Sequence, residues 1–215
     1  MAVKANNSTT SKSVSLPDGT TVSVATSPVG WWAEQNGTGF VDPTNIAPDI
    51  KNPRRHMNPA RLMELHESIK TRGVRQSLIV TPRHLVPWAK VEPQYKNCYF
   101  LAVSGHRRRS GALLGGVSAV PVMVKLYASE KEHRMDASLL NKGQEDLTPL
   151  EEGIEIIELQ GLGWKIKELC DAFGYQTPQL YDRIYLTRLH PDIQAMLDPD
   201  DPKQRRLPIT TGGVL

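Results

Sequence analysis

Tyr99-Phe100-Leu101-Ala102-Val103-Ser104-Gly105-His106-Arg107-Arg108-Arg109 runs five strand-forming residues straight into a glycine turn and three consecutive arginines. Tyr99 to Val103 predicts a buried strand, and Gly111 to Leu114 continues a small-residue helix beyond the turn. A strand that feeds a glycine turn into a helix N-terminus is a ready anion site. The first N–H groups point outward and the helix dipole favours negative charge. Arginine forks match phosphate oxygens, and Gly105 lets the main chain approach a ligand that a Cβ would keep away. His106 adds a switchable donor, although a lone histidine is more often structural. The same residues also read as an ordinary basic helix start on a surface facing nucleic acid, and no Walker A sequence is present.

Charge is concentrated around this turn. Lys51 to Arg109 holds 13 Lys and Arg against three glutamates, whereas Ser110 to Leu162 holds four against nine acids, in a chain of net charge +3. A block this basic points to nucleic acid or nucleotide as partner, with a solvated Lys/Arg surface as the plain alternative. Cys98 and Cys170 stand far apart, in no ligand-like spacing, and read as free thiols in a reducing compartment. No apolar run approaches the roughly 18 residues of a membrane span. The N-terminus has no apolar signal core, so the predicted location is the cytoplasm, without a membrane partner.

Upstream of the turn, residues 1–35 are rich in Ser, Thr, Asn and Gly. They predict a largely disordered tail holding at most one short strand at Thr21-Val22-Ser23-Val24. Asn52-Pro53-Arg54-Arg55 reads as a loop. Asn58-Pro59 starts a helix with Leu62, Leu65 and Ile69 on one stripe, ended by Gly73. Ser77 to Thr81 predicts a strand, and a polar insert with several prolines follows from Arg83 to about Asn97. Val120 to Leu126 predicts another strand. This half is mixed α and β.

Downstream the pattern is helical. Pro149 opens a helix with Leu150, Ile154 and Ile157 inward. Ile166, Leu169, Cys170 and Phe173 form the next stripe, closed by Gly174. Thr177-Pro178 supplies an N-cap and first turn for a helix with Leu180, Ile184 and Leu186, and His190-Pro191 starts one more. Two helices near 165–173 and 177–188, joined by a short turn, have the spacing of a DNA-reading helix-turn-helix. Thr177, Gln179, Tyr181, Asp182 and Arg183 would face the major groove, with Lys165 and Lys167 near the backbone. A plain helical bundle fits the same pattern. Leu207 to Thr211 reads as the entry to a further helix, which predicts a fragment of a longer protein.

These features in this order resemble the ParB partition proteins from about Ile46 to the last residue. Asn52-Pro53-Arg54-Arg55 resembles the family's first box, and Gly73-Val74-Arg75-Gln76-Ser77-Leu78 resembles its helix-to-strand segment. Val103-Ser104-Gly105-His106-Arg107-Arg108 resembles its Gly-Glu-Arg-Arg box, with His106 for the usual Glu. Asn141 to Glu152, ending Asp146-Leu147-Thr148-Pro149-Leu150-Glu151-Glu152, resembles the third box. The resemblance implies an α+β N-terminal domain of the ParB/sulfiredoxin fold over 36–148, followed by an all-α helix-turn-helix domain over 149–215.

By the same resemblance the ligand is CTP with Mg²⁺. Ser104, Gly105, His106, Arg107 and Arg108 would form its phosphate end, with Arg54, Gly73, Gln76 and Asn141 completing the site and Asn141 near the metal. Double-stranded DNA, a second copy of the chain and a ParA-type ATPase are the implied partners, and partition of a chromosome or plasmid the implied role. Leu140 stands where the family has a metal-ligating Glu, and Gln144 where it has Arg. Nucleotide binding is therefore expected ahead of hydrolysis, with a weak CTPase the most that follows. The alternatives are a nuclease of this fold, with Asp136, Glu145 and Asp146 as its carboxylates, and a transcriptional regulator acting only through the helix-turn-helix. Sulfiredoxin chemistry is rejected, because the turn holds no cysteine and Cys98 lies seven residues upstream of Gly105.

Overall fold

The computed structural model describes residues 11–17, 19–25, 37–51, 59–142 and 147–197. Two compact units divide the chain, with Ser129 the last residue of the first and Glu130 to the C-terminus in the second. That division falls ahead of the 148/149 boundary read from the sequence.

The first unit is built on a seven-stranded mixed sheet. Its strands are β1 (Ser11–Ser15), β2 (Thr21–Ala25), β3 (Gly37–Val41), β4 (Ile46–Ala47), β5 (Leu78–Pro82), β6 (Phe100–Ser104) and β7 (Val120–Val124), in the order β1-β2-β3-β7-β5-β6-β4. The predicted strand at Thr21 to Val24 is β2, and β1 pairs with it antiparallel, so this part of the 1–35 segment is a hairpin and not a disordered tail. β5 runs antiparallel to β6 and parallel to β7. Every residue of β6 is buried, which explains its unbroken apolar run. Asp42 caps the helical turn between β3 and β4, accepting from the Thr44 N–H at 3.0 Å. Burial alone would raise its carboxyl. The Thr44 hydroxyl and N–H, with Lys12, outweigh that and hold it below its ordinary value.

Two helices cover the sheet, α1 (Pro59–Arg72) and α2 (His106–Leu114). Ile69, Leu78, Val80, Phe100, Ala102, Ala112 and Val122 share one buried cluster. α1 and α2 pack closely at Gly111, where a Cβ would lie 2.9 Å from Ile69 Cδ1.

In the second unit the described elements are helices: α3 (Glu130–Lys142), α4 (Pro149–Gly161), α5 (Ile166–Phe173), α6 (Thr177–Leu186) and α7 (Pro191–Leu197). Met135, Ile156, Leu159, Leu169, Cys170, Phe173, Leu180 and Ile184 make its core. Two expectations are corrected here. The inward face of α4 carries Glu152, Glu155, Ile156 and Leu159, while Ile157 is 40% exposed. Its glutamates are buried because Arg134 and Arg183 pair with them. At α6, Gln176 is the N-cap and Thr177 already helical, because the Gln179 side chain accepts from the Gln176 N–H at 2.9 Å.

α4 and α6 cross at Gly153. A Cβ on it would lie 2.1 Å from the Arg183 carbonyl oxygen and 2.9 Å from Thr187 Cγ2. Arg134 of α3 is buried against Glu155 at 3.3 Å and reaches Glu158 at 3.2 Å, and the Ser138 hydroxyl donates to Glu155. Lys142 lies 3.9 Å from the Tyr175 ring centroid and donates to the Phe173 carbonyl at the end of α5.

Candidate functional site

Ser104 ends β6, and Gly105 turns the chain with φ +95° and ψ 24° to cap α2. A side chain is excluded there on two counts. The backbone is left-handed, and a Cβ would meet Leu78 Cγ at 2.9 Å. The turn therefore ends a fully buried strand and starts a helix whose first N–H groups point out of its end, as an anion site requires.

The residues that follow have separate duties. His106 Nε2 accepts from the Asp49 N–H at 3.3 Å, which holds the ring against the segment after β4. Arg107 is half-buried on the first turn of α2. Arg108 turns back, and its Nη1 donates to the carbonyls of Ser77 at 2.6 Å and Gln76 at 3.1 Å. Burial pulls the Arg108 guanidinium below its ordinary value. Arg109 is 5% exposed; its Nε donates to the Ile46 carbonyl, and its guanidinium lies 5.0 Å from the Tyr95 ring centroid. Of the three arginines, one is thus an internal strut.

Among the expected site residues the structure brings Ser104 to Arg108 together with the Gln76 main chain, through Arg108. Gly73 stands just beyond α1 with φ +67°, its N–H donating to the Ile69 carbonyl at 2.8 Å. Arg54 lies outside the described residues, as do Gln144, Glu145, Asp146 and the stretch after Leu197. Asn141 is in the last turn of α3, in the second unit.

Within the second unit, Lys165 and Lys167 are exposed at the start of α5, as are Thr177, Gln179, Tyr181 and Asp182 on α6. The Tyr181 and Tyr185 rings stack with centroids 6.1 Å apart. Arg183 does not stand with them. Its Nε donates to Glu152 at 2.9 Å and its guanidinium lies 5.5 Å from the Tyr175 ring centroid. The Tyr175 hydroxyl donates to the same carboxylate at 2.7 Å. Burial, and then the Glu152 carboxylate, push the Tyr175 hydroxyl up to about 12. Sequence reasoning missed this cluster; the spacing of Glu152, Tyr175 and Arg183 gives no local signal.

No group of three or more His, Cys, Asp or Glu side chains that could hold a metal exists among the described residues. No described helix is long and apolar enough to cross a membrane.

The ParB N-terminal domain family matches residues 32–140, just over half of the chain. Stage 0 sporulation protein J of Bacillus subtilis (strain 168) is 31% identical over 154 residues, which is 71% of this chain and 50% of that protein. Chromosome-partitioning protein Spo0J of Thermus thermophilus is 29% identical over 154 residues, 72% of this chain and 52% of that one. The chain spans about half the length of these curated relatives. One similar solved structure is the C-terminally truncated chromosome-partitioning protein ParB from Caulobacter crescentus complexed to the centromeric parS site. Its TM-score is 0.55 at 18% identity, over 81% of this chain and 82% of that one. A Pnob8-like ParB-N domain has a TM-score of 0.56 at 11% identity, over 83% of this chain and 78% of that one. At such identities the likeness is one of fold, and it agrees with the mixed sheet and helices of the first unit. With the family match added to that fold, the chain belongs to the ParB family through its ParB N-terminal domain.

Proposed function

We propose that this chain is a DNA-binding partition protein of a chromosome or plasmid, which binds CTP at the Gly105 turn and contacts duplex DNA through a helix-turn-helix made of α5 and α6. The observation that carries the nucleotide half is the turn itself. A left-handed glycine at the end of a buried strand opens α2, with Arg107 and Arg108 on the first turn. The observation that supports the DNA half is the exposed row on α6, with Lys165 and Lys167 on the preceding helix. The relative from Caulobacter crescentus was solved with the parS site, and the same partner class is proposed here. A homodimer and a ParA-type ATPase follow from the family alone.

Mg²⁺ does not fit the residues present. A hard divalent cation takes oxygen ligands, foremost carboxylates, whereas this chain offers Leu140 beside the neutral amide of Asn141. The proposed function is therefore nucleotide binding without assured turnover. Of the carboxylates the nuclease alternative would use, Glu145 and Asp146 lie outside the described residues.

The test is titration of fluorescent CTP, ATP and GTP against the chain, with and without duplex DNA, for wild type and Arg107→Ala. CTP is expected to bind, and Arg107→Ala to weaken it at least about tenfold, the loss of one charge-assisted contact. Failure of every nucleotide to bind at millimolar protein would remove the CTP claim. Binding to one palindromic DNA site, indifferent to nucleotide, would favour the transcriptional regulator.

A further inference from the structure

β5 and β6 are antiparallel neighbours, which a hairpin loop of two to five residues can join, yet seventeen residues separate Pro82 from Phe100. This connection is built, not slack. Val86 is buried with Ala47 and Leu101, and Trp88, Ala89, Val91 and Tyr95 pack onto them as a small core separate from the main one. Arg83 closes the loop on itself, its Nη1 donating to the carbonyls of Tyr95 at 2.8 Å, Lys96 at 2.5 Å and Cys98 at 3.2 Å. Arg109 clamps the loop from below through the Tyr95 ring.

An open cleft of about 540 Å³ lies on this loop, lined by Arg83, His84, Lys96, Asn97, Cys98 and Tyr99. Among the described residues no carboxylate lines it. Every polar side chain there can donate a hydrogen bond, and His84, Lys96 and Asn97 are exposed, as is the Tyr99 ring at 37%. Burial raises the Cys98 thiol, while the Arg109 and Arg83 charges oppose the rise.

We propose that this cleft is a second DNA contact of the first unit, gripping backbone phosphates of duplex DNA without reading sequence. The inference rests on the DNA-binding reading above and adds a surface to it. Charge complementarity selects the occupant, since a wide, donor-lined, carboxylate-free cleft on an ordered loop matches a polyanion. Lys96 supplies the phosphate contact, and His84 and Asn97 orient the strand.

The experiment compares wild type, His84→Ala/Lys96→Ala and the control Lys70→Ala, an exposed lysine of α1 away from the cleft residues. Binding to fluorescent duplex DNA of mixed sequence is measured between about 50 and 200 mM salt. The double variant is expected to bind more weakly, with a plot of log K against log salt shallower by about 0.9 for the lost phosphate contact, while the control matches wild type. Equal slopes in all three proteins, with wild type bound, would overturn the cleft and leave the helix-turn-helix reading intact. CTP binding by the same proteins is measured alongside, and its loss in the double variant with DNA binding unchanged would also overturn the cleft, by giving it to the nucleotide. A wild type that binds no duplex would sink the DNA-binding reading and the cleft together.

Discussion

Arg183 faces Glu152: the guanidinium Nε of α6 donates to the α4 carboxylate at 2.9 Å, with both side chains mostly buried. A residue that reads as a base contact in the sequence is thus part of the helix bundle. Arg183→Ala leaves Glu152 in a low-dielectric site with only the Tyr175 hydroxyl. The expected cost is about 1–3 kcal/mol, read by urea denaturation. DNA sequence preference is expected to move with Gln179→Ala and not with Arg183→Ala.

Gly153→Ala is expected to destabilise the second unit by about 3 kcal/mol, because the new methyl meets main chain and not a movable side chain. Gly161→Ala, where nothing lies within 4 Å of the added Cβ, is the matched control and should be neutral or slightly stabilising in circular-dichroism melts.

Arg134→Met breaks a buried pair on one side and leaves the Glu155 carboxylate without its cationic partner, with the Ser138 hydroxyl still donating to it. The expected loss is about 3–5 kcal/mol, and Arg134→Met/Glu155→Leu should recover most of it. Additive losses in that cycle would mean that the two side chains are not coupled.

Arg107 and Arg108 are both expected to act on nucleotide binding. Arg108→Ala frees the Gln76 and Ser77 carbonyls and is expected to lower stability by about 1–3 kcal/mol as well as weaken nucleotide binding. Arg107→Ala should weaken nucleotide binding at least about tenfold.

Alkaline pH should expose Tyr175. Its folded hydroxyl sits near 12, above the ordinary value of 10, so the folded state holds a proton that the unfolded chain releases first. The contribution is complete below pH 10 and is lost as pH rises towards 12. The difference between wild type and Tyr175→Phe, followed by chemical denaturation across that window, should shrink as pH rises.

The sequence was legible where residue type and period coincide. Phe100 to Val103 has one reading, a buried strand, and Gly105 one position, the turn after it. Leu169, Cys170 and Phe173 show a helix stripe and are its buried face. Ile46–Ala47 is too short to carry a period, and Gly37–Val41 alternates glycine with little else, so β4 and β3 exist only through their partners β6, β7 and β2. α4 misled for a different reason. Its inward stripe contains Glu152 and Glu155, whose burial depends on Arg183 and Arg134, thirty-one and twenty-one residues away. The glycine turn was visible, but the engagement of Arg108 with main chain and of Arg109 with main chain and Tyr95 was not, because that is settled by where Ile46, Gln76 and Ser77 lie in space.

At Gly153 the spacing of α4 and α6 is set by backbone touching backbone, so it cannot be tuned by exchanging one apolar side chain for another. The flanking core positions, Ile156 and Ile184 among them, are then free to drift among residues of similar volume over generations. Under such exchanges the exposed side of α6 keeps its bearing on the helix beneath it, so residues on that side can be changed without rebuilding the support.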